Sequence, residues 1–222
     1  MSRNDGGEAG VANPAFFTPP PEGATARWPF LPRFVLLNAG LVVYGLALAA
    51  MIRADVGLAP WDAFHYGLAR TFPFLKIGQA SIVVGLVCQL IAYFALRMPI
   101  GIGSVSNMIL IGIYIDLFLP WLPSPGSPFL AWCLFLSGIL VSGIATGTYI
   151  ASRFGAGPRD SLALGLSGRF GWPIKQVRTG IELTVLLSGF LLGANIGWGT
   201  LAFALLMGPA MSLGMSLYGL RR

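Results

Sequence analysis

Two segments of the chain set the same residue types at the same spacing: Gly57-Leu58-Ala59-Pro60-Trp61-Asp62 and Gly155-Ala156-Gly157-Pro158-Arg159-Asp160. Each reads as the start of a helix. Pro suits the first helical position, where a missing N–H has no partner to lose. Asp, two residues later, falls at the third position, where a carboxylate can accept from free backbone N–H groups and complement the helix dipole. The apolar stretch after each start supports about twelve helical residues, or roughly 18 Å. That is too short to cross a hydrocarbon core of about 30 Å, so each is a half-helix, either re-entrant or interfacial. On the plain structural reading Asp62 and Asp160 are helix caps, and Gly57 and Gly155 permit tight turns. On the functional reading the half-helices approach from opposite faces and line a central cavity. Irregular backbone at membrane depth is tolerated mainly in such places, and a carboxylate there is costly enough to imply a role. The two readings are compatible.

Other ionisable residues cluster near these starts. His65, the sole histidine, lies one turn beyond Asp62; it is a wall residue on the plain reading and a proton carrier on the functional one. Arg178 and Glu182 are four apart, the spacing of an ion pair on one helical face. The substrate- or ion-binding candidates are therefore Asp62, Asp160, Glu182, Arg178 and His65. Asp116 reads as an interfacial residue, and Asn38, Gln89 and Asn107 as helix-to-helix hydrogen-bonding groups. With one histidine, no Ser-His pair in a soluble loop, no metal spacing and no phosphate-binding glycine loop, the chain is not expected to be an enzyme, and neither metal nor cofactor is expected. Cys88 and Cys133 lack metal spacing and read as small buried hydrophobes.

The elements that must position these groups follow from composition. The 222 residues are 55% hydrophobic and 10% charged, with a mean hydropathy of +0.76. Too little charge remains to cover a soluble surface, so lipid must serve as part of the solvent. The apolar runs are continuous rather than alternating, which selects helices over a barrel. Uncharged runs over 34–52, 77–96 and 98–115, one over 129–151, and a stretch over 183–220 broken by Gly193 to Gly199 give six crossings. Residues 1–33 read as a disordered cytoplasmic tail and 34–222 as a single membrane domain. The net charge of +6 is scattered singly around apolar runs, as orientation signals are, and forms no cluster suited to nucleic acid.

The domain contains an internal repeat. At an offset of 98, residues 36–72 and 134–170 share twelve identities in 37 positions, among them Gly40/Gly138, Gly57/Gly155, Pro60/Pro158 and Asp62/Asp160. At an offset of 96, Gly101, Gly103 and Gly112 meet Gly197, Gly199 and Gly208. Repeat one spans about 34–122 and repeat two about 129–220. Three crossings per half is an odd number, so the second half enters from the opposite side. The charges agree: 121–128 and 194–198 carry none, whereas Arg153, Arg159, Arg169, Lys175 and Arg178 gather in one stretch and Arg221 and Arg222 end the chain. Both termini are thus expected in the cytoplasm. The expected fold is all-α and membrane-integral, with six transmembrane helices in two inverted three-helix repeats, each carrying a Gly/Pro-started half-helix. This is a recurring plan among transporters. The halves differ where chemistry could reside: Arg159 replaces Trp61, Ala163 replaces His65, and neither Glu182 nor Asp116 has an acidic counterpart.

At the two half-helix starts, at Val177-Arg178-Thr179-Gly180-Ile181-Glu182, and at Gly197-Trp198-Gly199-Thr200 leading to Gly208-Pro209, the sequence resembles the YczE/YyaS/YitT group of bacterial multi-pass membrane proteins, especially its YczE-like branch. The resemblance implies a bacterial cytoplasmic (inner) membrane location and brings no established substrate. The expected function is a small-solute transporter or permease with its site between the half-helices. The alternative is a non-transporting membrane regulator or chaperone-like partner of other proteins. The expected associates are the lipid bilayer, a small solute and a second copy of the chain.

Overall fold

The computed structural model describes residues 25–220. Most of the expected tail, residues 1–33, lies outside that range. Among the described residues the chain forms eight α-helices and no strand: α1 (Phe30–Ala54), α2 (Pro60–Thr71), α3 (Ile77–Leu90), α4 (Ile102–Phe118), α5 (Pro128–Ala151), α6 (Pro158–Phe170), α7 (Ile174–Leu191) and α8 (Trp198–Ser216). A π-helical turn, Ile91–Ala95, extends α3. Four helices are long and apolar enough to cross a bilayer: Phe30–Ala54, Ile77–Ala95, Pro128–Ala151 and Trp198–Ser216. The helix Ile102–Phe118 is apolar but shorter.

Several boundaries differ from those read in the sequence. The first helix starts at Phe30, inside the expected tail, because Arg33 is not a solvent marker: its guanidinium donates to the carbonyls of Ser152 (2.9 Å) and Arg153 (3.0 Å). The third apolar run loses its first residues to an irregular link around Pro99 and Gly101, and α4 begins at Ile102. The helix expected to begin near residue 183 begins at Ile174, because a charge on a helix face does not end a helix, and Lys175, Arg178 and Glu182 ride on its first turns.

The scaffold centres on α1 crossing α5, with Leu37, Leu41, Leu48, Met51, Phe135 and Ile139 buried between them and their neighbours. α4 packs on α1, and α8 on α5; α2 packs on α7, and α3 on α6. Small residues permit the closest approaches, as Gly143 and Gly147 of α5 do against Ala210 and Gly214 of α8. In one respect the halves diverge. α3 packs along α4, backbone to backbone at Gly78 and Gly112, but no comparable packing joins α7 to α8.

Asp116 helps hold the α3–α4 pair. Its carboxylate accepts from the backbone N–H groups of Gly78 (2.7 Å) and Gln79 (3.1 Å), capping α3 from a neighbouring helix. It is therefore a structural clamp and more than an interfacial residue. Asp116→Ala is expected to cost about 1 kcal/mol, the usual worth of such a cap, seen as a thermal midpoint lower by about 2–4 °C in detergent. Cys88 is buried as expected, but Cys133 is exposed on the outer face of α5.

Candidate functional site

The two half-helix starts are fixed by equivalent devices. Gly57 adopts φ +134°, and a Cβ there would lie 2.7 Å from the Thr200 backbone nitrogen. The link before α2 thus presses on the start of α8, where Gly199 N–H donates to the Val56 carbonyl (2.8 Å) and Thr200 Oγ1 donates to the Leu58 carbonyl (2.8 Å). In the second half Gly155 adopts φ +111°, and Gly103 N–H at the start of α4 donates to the Phe154 carbonyl (2.9 Å). Each half-helix is anchored by the last helix of the other half. Pro60 and Pro158 occupy the first helical positions, as their type requires.

Between the starts lies a cavity of about 320 Å³, lined from α1, α2, α4, α5, α6, α7 and α8. Tyr44, Tyr149, Phe203 and Met207 supply much of its wall, and Asp62, Arg159, Asp160, Arg178 and Glu182 supply its charge. The Arg159 guanidinium lies over the Trp61 ring, 4.7 Å from its centroid, so the half-helices meet tip to tip. Its Nη2 also reaches His65 Nε2 (3.5 Å) and Ser81 Oγ (3.4 Å). Such a stacked guanidinium is worth about 0.5–2 kcal/mol, more when desolvated.

The sequence-selected residues separate into three kinds. Asp62 lies on the cavity and is 2% exposed, and its Oδ1 has no hydrogen-bond partner among the described residues. It therefore does not cap α2 through that oxygen, although its charge still faces the positive end of the helix. Asp160 does not serve as a simple cap either, because Arg178 of α7 takes its carboxylate in a hydrogen-bonded ion pair. The Arg178–Glu182 pair suggested by their spacing is replaced: Arg178 turns to Asp160, and Glu182 has no ion pair among the described residues while still lining the cavity. An exposed i,i+4 pair is worth only about 0.3–0.5 kcal/mol, too little to hold Arg178 away from a close carboxylate on α6. His65 is buried outside the lining, with its Nδ1 3.9 Å from Asp62 Oδ1 and without a hydrogen bond. It backs Asp62 and does not face the solute space.

Arg159 and Trp61 are the site residues that the sequence reading left unselected. The signal was present as the exchange of one for the other between otherwise matching motifs. Asn107, read as a helix-to-helix group, also lines the cavity, and its side chain lies against Gly157.

A profile described as "Family of unknown function (DUF6198)" matches residues 31–216. The chain is similar to the uncharacterized membrane protein YczE of Bacillus subtilis, with 37% identity over 178 residues, covering 79% of this chain and 82% of the relative. It is also similar to an uncharacterized protein of Haemophilus influenzae, with 30% identity over 195 residues (87% and 88% coverage), and to the uncharacterized protein YyaS of Bacillus subtilis, with 25% identity over 191 residues (83% and 93%). No solved structure matches.

Proposed function

The chain belongs to the DUF6198 family, which is of the YczE/YyaS type and whose relatives include a membrane protein, and on that premise we propose that it is a small-solute transporter or permease, with its site in the cavity between the α2 and α6 starts. The observation that carries the reading is the convergence of two broken-backbone helix starts on one cavity that carries five ionisable side chains in an otherwise mainly apolar wall. Such starts at membrane depth are tolerated where they line a solute space.

The reading includes six crossings: α1, α3 with its π turn, α4, α5, α7 and α8. It takes the halves as inverted repeats. Three observations support this: the matched Gly57 and Gly155 turns, the reciprocal Gly199-to-Val56 and Gly103-to-Phe154 hydrogen bonds, and the start of α1 beside the end of α5. The membrane is taken to be the bacterial inner membrane, with both termini in the cytoplasm, by the bias of positive charge to 153–178 and to the chain end. On this reading no catalytic step is involved. The chain binds a solute and passes it on.

Transport should leave a chemical trace. Cells lacking the protein and cells overproducing it are expected to differ in opposite directions in one solute or a few related solutes, as measured by untargeted mass spectrometry of cells and medium. If the differences instead follow the abundance of another membrane or cytoplasmic protein, with no solute changing in opposite senses, transport is refuted in favour of regulation.

A further inference from the structure

We propose that the cavity takes a small organic monocation, an ammonium or guanidinium group on an apolar body, with Glu182 as its principal counter-ion and Asp62 as its second. This rests on reading the cavity as the solute site and names the solute class.

The charges around the cavity do not balance. Five ionisable side chains line the cavity: Asp62, Arg159, Asp160, Arg178 and Glu182. Arg178 and Asp160 satisfy each other. Arg159 forms no ion pair within 4 Å among the described residues and is committed to the Trp61 face, His65 and Ser81. Its charge and the positive end of α2 are set against Asp62, which shares that helix start. Glu182 has neither an ion-paired cation nor a helix start of its own. It lines the cavity from the third turn of α7, where its carboxylate is exposed and open to a solute. Three carboxylates thus share the cavity wall with two guanidinium groups, a formal excess of one negative charge.

A second, independent feature lies deeper. Asp62 is almost fully buried on the cavity, and its Oδ1 lacks any hydrogen-bond partner among the described residues. An ammonium or guanidinium N–H supplies the donor that both carboxylates lack. An anion would deepen the imbalance, and a zwitterion would leave it unchanged. The remaining wall suits the rest of such a molecule: Tyr44, Tyr149 and Phe203 offer aromatic surface, which attracts cations, and Met207 and Met211 offer adaptable apolar surface. Glu182 of α7 and Met211 of α8 both line the cavity, and these two helices lack the extensive packing that joins α3 to α4, so the proposed entry route for a molecule with an apolar body runs between them.

The test uses purified full-length protein in lipid nanodiscs and four cations: methylammonium, guanidinium, benzylammonium and tetraethylammonium. Benzoate and benzyl alcohol serve as shape-matched anionic and neutral controls. Equilibrium dialysis of radiolabelled probe is expected to show saturable binding of at least one organic cation and of neither control. Glu182→Gln should weaken it at least about tenfold, the effect of losing one close counter-ion. Met207→Trp, which fills the cavity without touching its charge, should remove it. Gly126→Ala, at a position with open space around it and outside the cavity lining, should leave it unchanged. Binding of none of the four cations, equal binding of benzoate or benzyl alcohol, or full affinity in Glu182→Gln overturns the proposal. Binding in discs without uptake into vesicles refutes the transport reading and leaves the cation site standing. Uptake of anionic or neutral solutes with no cation bound does the reverse.

Discussion

Arg178→Glu is expected to reduce solute uptake about a hundredfold or more, and Asp160→Arg combined with Arg178→Asp to recover a large part of that loss. The single reversal does two things at once. It removes the ion pair that ties α7 to the start of α6, and it places three carboxylates on one wall, since Asp160 and Glu182 flank the position. Like charges about 4 Å apart repel by about 1 kcal/mol in bulk water and about 4 kcal/mol at a partly shielded site. Two such contacts are enough for a hundredfold effect, because each 1.4 kcal/mol is a factor of ten. The swapped pair restores the attraction in the opposite sense, so its recovery measures the coupling itself. If the swap recovers nothing while both proteins stay folded, the positions matter for another reason.

Gly147→Leu is expected to leave little or no folded protein in the membrane. Gly147 of α5 faces Gly214 of α8 so closely that an added Cβ would fall within the opposing backbone, and Gly143 meets Ala210 one turn away in the same manner. A flexible side chain could turn aside, but a backbone cannot move without parting the two helices. Ordinary overpacking costs about 1–3 kcal/mol, and a clash with backbone belongs to the rarer class above about 4 kcal/mol, which is comparable with the whole stability of many proteins. Gly126→Ala, at a position with open space around it, should be neutral in the same thermal-unfolding assay. A Gly147→Leu protein that purifies in good yield with an unchanged melting temperature would contradict the α5–α8 packing.

Much of this site was legible from residue types and spacing. Proline at a first helical position and an unbranched glycine before it are demanding local signals, and both half-helices begin at the prolines so marked. The apolar runs located the helices, because length and composition suffice for that. What one strand of text could not show was partner choice. Arg178 and Glu182 are neighbours along α7, yet the nearer carboxylate in space comes from residue 160. The exchange of Trp61 for Arg159 was visible as a difference between repeats, but their stacking depends on the two helix starts meeting. The clamp of Asp116 on α3 is of the same kind, a contact between helices separated by a turn and a π segment. The lack of extensive packing between α7 and α8 left only a faint trace: Ser212 stands where the first repeat has its clamping Asp116.

The central claim, that the cavity between the half-helix starts carries a solute, is tested most directly in sealed vesicles. Vesicles holding the full-length protein, in wild-type or Asp160→Asn form at equal density, are incubated in a 13C-labelled extract of bacterial small molecules, and their contents are read by mass spectrometry. The expected result is one labelled solute, or a chemically related few, accumulating with the wild-type protein at least about tenfold faster than with Asp160→Asn, which loses the charge that holds Arg178. Equal accumulation with both folded proteins, or none above protein-free vesicles with either, would contradict the claim.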